Sequence, residues 1–416
     1  MVLNDAVGGN ETGRLPRGRA FWAVAYAFFI TLLTSTLPTP LYVVYQARWH
    51  FPAGVITVIF AAYPAGVLLA LLLSGRLSDQ VGRRRVLQPA LALAVVSSAI
   101  FVLARGVEWL IAARVVTGLA VGLLTGAATA ALTELEPSRD IRRAALVSTV
   151  STMVGLGLGP LLTGVLAQYA PWPTVLVYLI DLALLAPAYI GVWAIPETVQ
   201  GASARPALRP QRLRVPAEIH VPFAVAAAAY FSAMAVLGLF TALAPSFTLG
   251  LLHIRNRAVG GALVATLFGV SAVAQLTLRR LSHRRAMEAG LAVLVAGLIL
   301  VVVALMTRSL AVFVASAAGL GLGQGLAFMG SLALVNRLAP PARRAEVDSS
   351  YFVVGYLGVA LPTLGVGFAS ERFGFVAAVV AFALAIGALA LATAAAVARV
   401  TAPPPTPAPP AERQGG

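Results

Sequence analysis

Three groups of residues in this 416-residue chain have types and spacings that could do chemistry. Asp79 and Arg83 stand four apart in the charged turn Gly75-Arg76-Leu77-Ser78-Asp79-Gln80-Val81-Gly82-Arg83-Arg84-Arg85. A helix continuing through that turn would bring carboxylate and guanidinium together as an ion pair, the plainer alternative being flank charges that only set topology. Arg114, in Arg114-Val-Val-Thr-Gly118-Leu-Ala-Val-Gly122, lies inside a long apolar run. A guanidinium there is costly unless paired or hydrated, so it reads as functional, against the alternative of a side chain that snorkels to a nearby membrane surface. Asp181, in Tyr178-Leu-Ile-Asp181-Leu-Ala-Leu, is the carboxylate set well inside an apolar run. Its charged form is expensive in that setting, which makes it a candidate proton carrier or, more simply, a hydrogen-bond partner of a neighbouring helix. Other chemistry is missing from the pattern. There is no Cys, and the four His (His50, His220, His253 and His283) are scattered without ligand spacing, so no disulfide, thiolate nucleophile or metal site is expected. No G-x-x-x-x-G-K-[ST] loop occurs, which argues against a nucleotide-driven pump, and no catalytic cluster points to an enzyme.

The elements that must position these groups are apolar. The chain is 59% hydrophobic and 11% charged, with a mean hydropathy of +0.89, a balance that a soluble domain of this size does not have. Runs long enough to span a bilayer as helices occupy about 20–45, 52–74, 86–104, 109–132, 144–169, 173–195, 219–250, 258–278, 286–306, 310–336, 346–370 and 373–398. The expected fold is therefore an all-α integral membrane bundle of twelve transmembrane helices. The first run is too long for a signal-peptide core and is read as an uncleaved helix. The proline-rich tail 400–416 is read as disordered. A net charge of +15 suggests nucleic acid at first sight, but every basic residue is Arg and these lie at the ends of apolar runs. With the N-terminus inside, 23 Arg fall in inside segments and six in outside loops, so both termini are expected to be cytoplasmic. The two halves also echo each other. Arg142-Arg143-Ala144 opens the fifth run and Arg343-Arg344-Ala345 the eleventh, while the basic stretch 278–285 takes the place of the 75–85 turn without its Gly and Asp.

On Gly75, Leu77, Ser78, Asp79, Gly82, Arg83 and Arg84, the chain resembles the major facilitator superfamily of transporters. The loop between that family's second and third helices carries G-x-L-[AS]-D-x-x-G-R-[RK]-x. The resemblance covers about 20–398. It implies two pseudo-symmetric six-helix halves around a central substrate cavity, with Gly75, Asp79, Gly82, Arg83 and Glu134 forming a gating charge relay that latches the outward-open state. Glu134 ends the fourth helix, about 30 Å along from Arg114 and so at the same membrane face as Asp79. Arg114 matches R-x-x-x-G-x-x-x-G, in which the arginine is linked to proton coupling; Asp181 is its candidate companion. Gly155, Gly159, Pro160 and Gly164 look like G-x-x-x-G-P-x-x-G-G of the exporting antiporters, with Thr163 departing from the first glycine of the closing pair. Repeated glycines let helices approach, Pro160 kinks the helix, and packing alone is the competing reading. In related proteins the first, fourth, seventh and tenth helices line the cavity, which singles out Tyr26, Thr34, Tyr230, Phe231, Gln324 and Asn336. Thr31, Ser35, Tyr42, Thr125, Met234, Phe240 and Phe328 lie on the same helices. Such a lining would suit an amphipathic or cationic compound, although the first helix lacks the carboxylates of some multidrug exporters. Leu37-Pro38-Thr39-Pro40 is expected to break the first helix in its outer half.

The expected organisation is an N-terminal tail (1–19), a six-helix bundle (20–198), a cytoplasmic linker (199–217), a second six-helix bundle (218–399) and the tail. The expected function is proton-coupled antiport that exports drugs or metabolites by alternating access. The alternatives are a proton-coupled importer of a sugar or organic acid, or a non-transporting membrane sensor. The expected partners are a small-molecule substrate, protons and membrane lipid, with no nucleic acid and no cofactor. A functional monomer in a bacterial cytoplasmic membrane is expected.

Overall fold

The computed structural model of the protein describes residues 15–74, 77–199 and 213–400. Gly75 of the charged turn lies outside them, as do most of the two tails and the middle of the linker. Among the described residues the secondary structure is helical throughout, and twelve helical segments are long and apolar enough to cross a membrane. The first segment is α1 (Arg17–Thr36) and α2 (Tyr42–Trp49), separated by a single 3-10 turn, Thr39–Leu41. Pro38 and Pro40 cause the break, because neither has an N–H to continue the ladder. Then come α3 (Ala53–Ser74), the short α4 (Leu77–Val81), α5 (Arg83–Leu103), α6 (Val107–Leu135), α7 (Ile141–Tyr169) and α8 (Pro173–Trp193). The later spans are α9 (His220–Gly250), α10 (Arg257–Thr277), α11 (His283–Thr307), α12 (Leu310–Leu338), α13 (Arg344–Phe373) and α14 (Phe375–Val400).

One helix does not run from Asp79 to Arg83 as the four-residue spacing suggests. Gly82 has φ 108°, a conformation that costs little only for glycine, and it divides α4 from α5. The pair still meets, across a corner. Pro160 lies inside α7, which runs through it as one helix from Ile141 to Tyr169.

Lipid tails are as apolar as leucine, so spans associate where small residues let backbones touch. Within the first six spans, α6 lies along α3 and α1 along α7. A Cβ on Gly118 would collide with the Tyr63 carbonyl of α3 and come within 3 Å of Gly66 Cα. Gly155 and Gly159 sit against the α1 backbone at Phe29 and Leu33. Within the last six, α12 packs on α11 and α10, and α13 on α9. The two groups of six meet at two seams, α7 with α10 and α3 with α13. At the first seam Gly164 and Gly261 abut, a Cβ on Gly164 coming within 3.3 Å of Gly261 Cα, while Gly261 also faces the Pro160 carbonyl. At the second, Gly367 of α13 lies against Thr57 of α3.

Polar contacts close both seams at the end remote from Asp79. Gly54 N–H donates to Glu371 Oε1 at 2.7 Å. Arg257 N–H donates to Gln168 Oε1 at 2.9 Å, and the Arg257 guanidinium to the Ala167 carbonyl at 2.8 Å. Asn256 Nδ2 reaches the Tyr169 hydroxyl at 3.1 Å.

The two glycine contacts should respond differently to a branched side chain. Gly118→Val is expected to overpack the α3–α6 interface and destabilise the protein by about 1–3 kcal/mol, read as a lowered Tm in detergent. Gly261→Val wedges the seam between the two groups instead. It is expected to spare Tm and raise alkylation of a cysteine placed at Thr39 from the Gly54 side of the membrane. The natural absence of Cys makes that labelling clean.

Candidate functional site

Between the two groups of six lies a cavity of about 370 Å³, within the range of small-molecule sites. It is lined by α1, α3, α6, α7, α9, α10, α12 and α13, and by Thr39 of the break. It reaches Thr129, which is exposed and little more than one turn from Glu134. The molecule is thus open at the end that carries Asp79 and closed at the other.

Arg114 is the cavity's central charge. Two turns into α6, it is only 2% exposed and does not snorkel. Its position follows from two local features. The last four carbonyls of a helix have no intrahelical donor, and the proline break ends α1 just after Ser35. Arg114 Nη1 donates to the Ser35 carbonyl thus freed, at 2.5 Å. The close α3–α6 contact at Gly118 and Gly66 then brings α3 aromatics over the guanidinium. The Tyr63 ring centroid is 4.6 Å away and that of Phe60 5.9 Å.

Asp181 faces neither the cavity nor lipid. It is 1% exposed, with Oδ1 accepting from Thr34 at 2.8 Å and Oδ2 from Ser98 at 2.5 Å. Adjacent residues in the last turn of α1 therefore hold the two intramembrane ionisable side chains, Thr34 on Asp181 and Ser35 on Arg114.

The charged turn is built around Arg83. Its Nη1 donates to Asp79 Oδ1 at 2.5 Å and Ser78 Oγ at 2.7 Å, and Nη2 to Glu134 Oε1 at 2.9 Å. Its Nε also points at the Glu134 carboxylate. Thr198 Oγ1 donates to the same carboxylate. Two further carboxylates, unmarked by the sequence reading, complete the region. Glu197 accepts from Arg83 N–H at 2.7 Å, an anion at the positive end of α5, and a Cβ on Gly82 would collide with it. Glu136 is 2% exposed, accepts from Arg143 at 3.1 Å and from Asp140 N–H at 2.7 Å, and pins the α6–α7 turn. Asp140, which the sequence analysis did not single out, caps α7 and accepts from Arg142 N–H at 2.8 Å.

Of the residues singled out for the cavity, Tyr230 and Gln324 line it; Ser35, Thr125, Met234 and Phe328 do too. The other four of the first set do not. Tyr26 turns to α8 and donates to the Leu184 carbonyl at 3.1 Å. Thr34 is taken by Asp181. The Phe231 backbone is the surface on which Gly358 packs. Asn336 is exposed near the end of α12. Thr31 bonds its own helix at Ala27, Phe240 packs on Phe313, and buried Tyr42 is outside the lining. The sequence reading missed the contribution of α3, α7, α10 and α13, including Phe60, Tyr63, Thr152, Met153, Phe268 and Tyr356. Gly155, Gly159, Pro160 and Gly164 do not reach the cavity either; they form the α7 surfaces that meet α1 and α10.

A family model described as Major Facilitator Superfamily matches residues 24–361. Among curated proteins, the chain is 34% identical over 139 residues to the multidrug transporter MdfA of Yersinia pestis, a stretch covering 33% of each. The matched stretches span between 26% and 37% of the length of the first such relatives. Among solved structures, a bacterial homolog of the human lysosomal transporter Spinster, inward-facing and occupied, superposes with a TM-score of 0.72 at 16% identity, covering 92% of this chain and 97% of that one. The human organic anion transporter MFSD10 superposes with a TM-score of 0.66 at 19% identity, covering 92% and 100%. At those identities the likeness carries the fold alone.

The carboxylates at the Asp79 end should separate by burial. Glu136→Ala strands a buried turn and is expected to cost about 1–3 kcal/mol, because charge-assisted hydrogen bonds out of water are lost. Asp79→Asn, with a side chain 60% exposed, is expected to leave thermal unfolding near wild type. Parallel melts of the two purified variants check the contrast.

Proposed function

The chain belongs to the Major Facilitator Superfamily of transporters, and from that premise we propose that it exports small organic compounds by proton-coupled antiport. The observation that carries the reading is the last turn of α1, where Thr34 holds Asp181 and Ser35 holds Arg114 at the wall of the cavity. An ionised carboxylate only accepts hydrogen bonds, whereas a protonated one must also donate. Taking up a proton at one Asp181 oxygen would make the hydroxyl facing it, Thr34 or Ser98, accept where it now donates, and Thr34 would turn its proton to the Ile30 carbonyl 3.0 Å away. That rearrangement moves the α1 turn, and with it the carbonyl on which Arg114 depends. A proton is thereby linked to the cavity without entering it.

Alternating access is the motion proposed, with the two six-helix bundles (20–198 and 218–399) as the two moving bodies. Opening the closed end requires parting Gly54 from Glu371 and Arg257 from Gln168 and Ala167. The Asp79 end is taken as cytoplasmic from its arginines, in a bacterial inner membrane with both termini inside. The cavity is then open inward. The Asp79–Arg83–Glu134 cluster braces the open end from within the first six spans, and in the opposite state it would be positioned to meet the last six. A monomer suffices for this cycle, since the cavity is complete within one chain. Export rather than import rests on the α7 Gly-Pro pattern and on the name of the relative MdfA. The competing importer reading would take the same cavity in the opposite direction.

Everted membrane vesicles with an imposed pH gradient, offered dyes, drugs and metabolites, test this. Substrate-induced proton release is expected in wild type. Arg114→Ala should lower it about tenfold or more, as expected for the loss of a contact worth about 1.5–3 kcal/mol. Uptake in whole cells with no movement in everted vesicles would overturn export in favour of import.

For the coupling, Asp181→Asn is expected to flatten the pH dependence of transport while the protein still inserts. An unchanged pH profile would remove Asp181 from the proton path. Asp79→Asn is expected to slow transport severalfold at normal abundance, and wild-type rates would dismiss the charged turn as a gate.

A further inference from the structure

The cavity wall carries an imbalance of charge. Arg114 is the one charged side chain among its described lining residues, and no Asp or Glu lines it. A guanidinium keeps its proton in proteins, so the positive charge is permanent. What surrounds it offers only partial compensation: one backbone carbonyl at Nη1 and the faces of Tyr63 and Phe60. Its Nε is buried without a hydrogen-bond partner. None of the described ion pairs includes Arg114. Asp181, on the other side of the α1 turn, has both oxygens engaged by hydroxyls and does not reach the cavity.

A cationic guest would bring a like charge into this low-dielectric space with no carboxylate to receive it. An anionic guest would supply the partner that the guanidinium lacks. The remaining wall suits an apolar body, with Tyr230, Phe268, Phe328 and Met153 presenting ring and thioether surface. The volume of about 370 Å³ accommodates a compound of one or two fused rings.

We propose that the substrate is an amphipathic organic monoanion, its carboxylate or sulfonate held by Arg114 and its apolar body by the aromatic wall. This rests on the transporter reading and narrows it; it also reverses the cationic alternative that aromatic and Met residues suggested in the sequence. The physical reason is that the protein's own guanidinium already takes the Tyr63 and Phe60 faces, and no carboxylate among the described lining residues would receive a second cation.

The test uses three ligands that share one ring system and differ in charge: 2-naphthoate, 2-naphthamide and 2-naphthylmethylammonium. Their binding to the purified, detergent-solubilised full chain is measured by titration calorimetry. Naphthoate is expected to bind roughly ten- to a hundredfold more tightly than the amide, the range of one charge-assisted hydrogen-bonded contact, with the ammonium weakest. Arg114→Gln is expected to erase the preference for naphthoate. Because that variant removes a buried group and can fail to fold, Met234→Glu is run beside it. This change leaves Arg114 in place, adds a carboxylate to the lining, and is expected to weaken naphthoate and strengthen the ammonium. Equal binding of amide and naphthoate, tighter binding of the ammonium, or no binding of naphthoate overturns the anion assignment. If everted vesicles meanwhile move some other compound against protons, the transporter reading stands without it. Selective naphthoate binding with no coupled movement of any compound would sustain the anion site and overturn the transporter reading.

Discussion

Where α1 stops decides much of what this molecule can do. Inside a bilayer, a backbone carbonyl without a donor and a guanidinium without an acceptor are both costly. Pro38 and Pro40 create the first by ending α1 at Thr36, and Arg114 of α6 is the second. Their hydrogen bond satisfies the carbonyl and one guanidinium nitrogen, leaves Nε unpartnered, and fixes Arg114 at the cavity wall rather than at the membrane surface. The aromatic faces of Phe60 and Tyr63 complete the setting, and they are there only because Gly66 and Gly118 let α3 and α6 touch. A packing motif and a charged residue in one sequence pattern, Arg114 to Gly122, thus act as one device.

The same economy of contact shapes the seams. Apolar surface gives no preference for helix over lipid, and the closest backbone approaches between the two groups of six are at glycines, with a few polar bonds beside them. The contacts at Glu371 and Arg257 close one end, and the exposed residues around Thr129 leave the other open. Gly155 and Gly159 have a different task from Gly164. The first two tie α7 to α1 inside the first group, and the third faces α10 across the seam. One sequence pattern therefore serves contacts both within the first group of six and across the seam to the second.

Twelve spans, the break at Pro38, the intramembrane Arg114 and Asp181, and the pairing of Asp79 with Arg83 could all be read from one strand of letters, whereas Glu134 joined that pair through the family resemblance. Each depends on local chemistry: hydropathy over a window of one helix, a missing N–H, or a charge where lipid forbids it. Charges at a loop also announce themselves whatever the fold. Glu136 and Glu197 escaped notice because as letters they resemble ordinary flank acids. Only the turn that buries Glu136, and the corner at Gly82 that turns α5 toward Glu197, separate them from Glu108 or Glu218.

The cavity was the least legible part. A helix that is apolar all round gives no periodic signal for which face looks inward, so Tyr26, Thr34 and Phe231 could not be told from Tyr230 and Gln324 by sequence. Rotation about each helix axis is decided by contacts between helices, and those were recorded in glycine positions whose partners lie far away in the chain. Hydropathy and arginine placement by themselves determined that this is a twelve-span membrane protein, and which of its charges stand within the membrane. Tertiary structure alone decided that Arg114 faces a cavity with no acid among its described lining residues while Asp181 is held behind α1, because the sign of a cavity depends on which side chains converge on it.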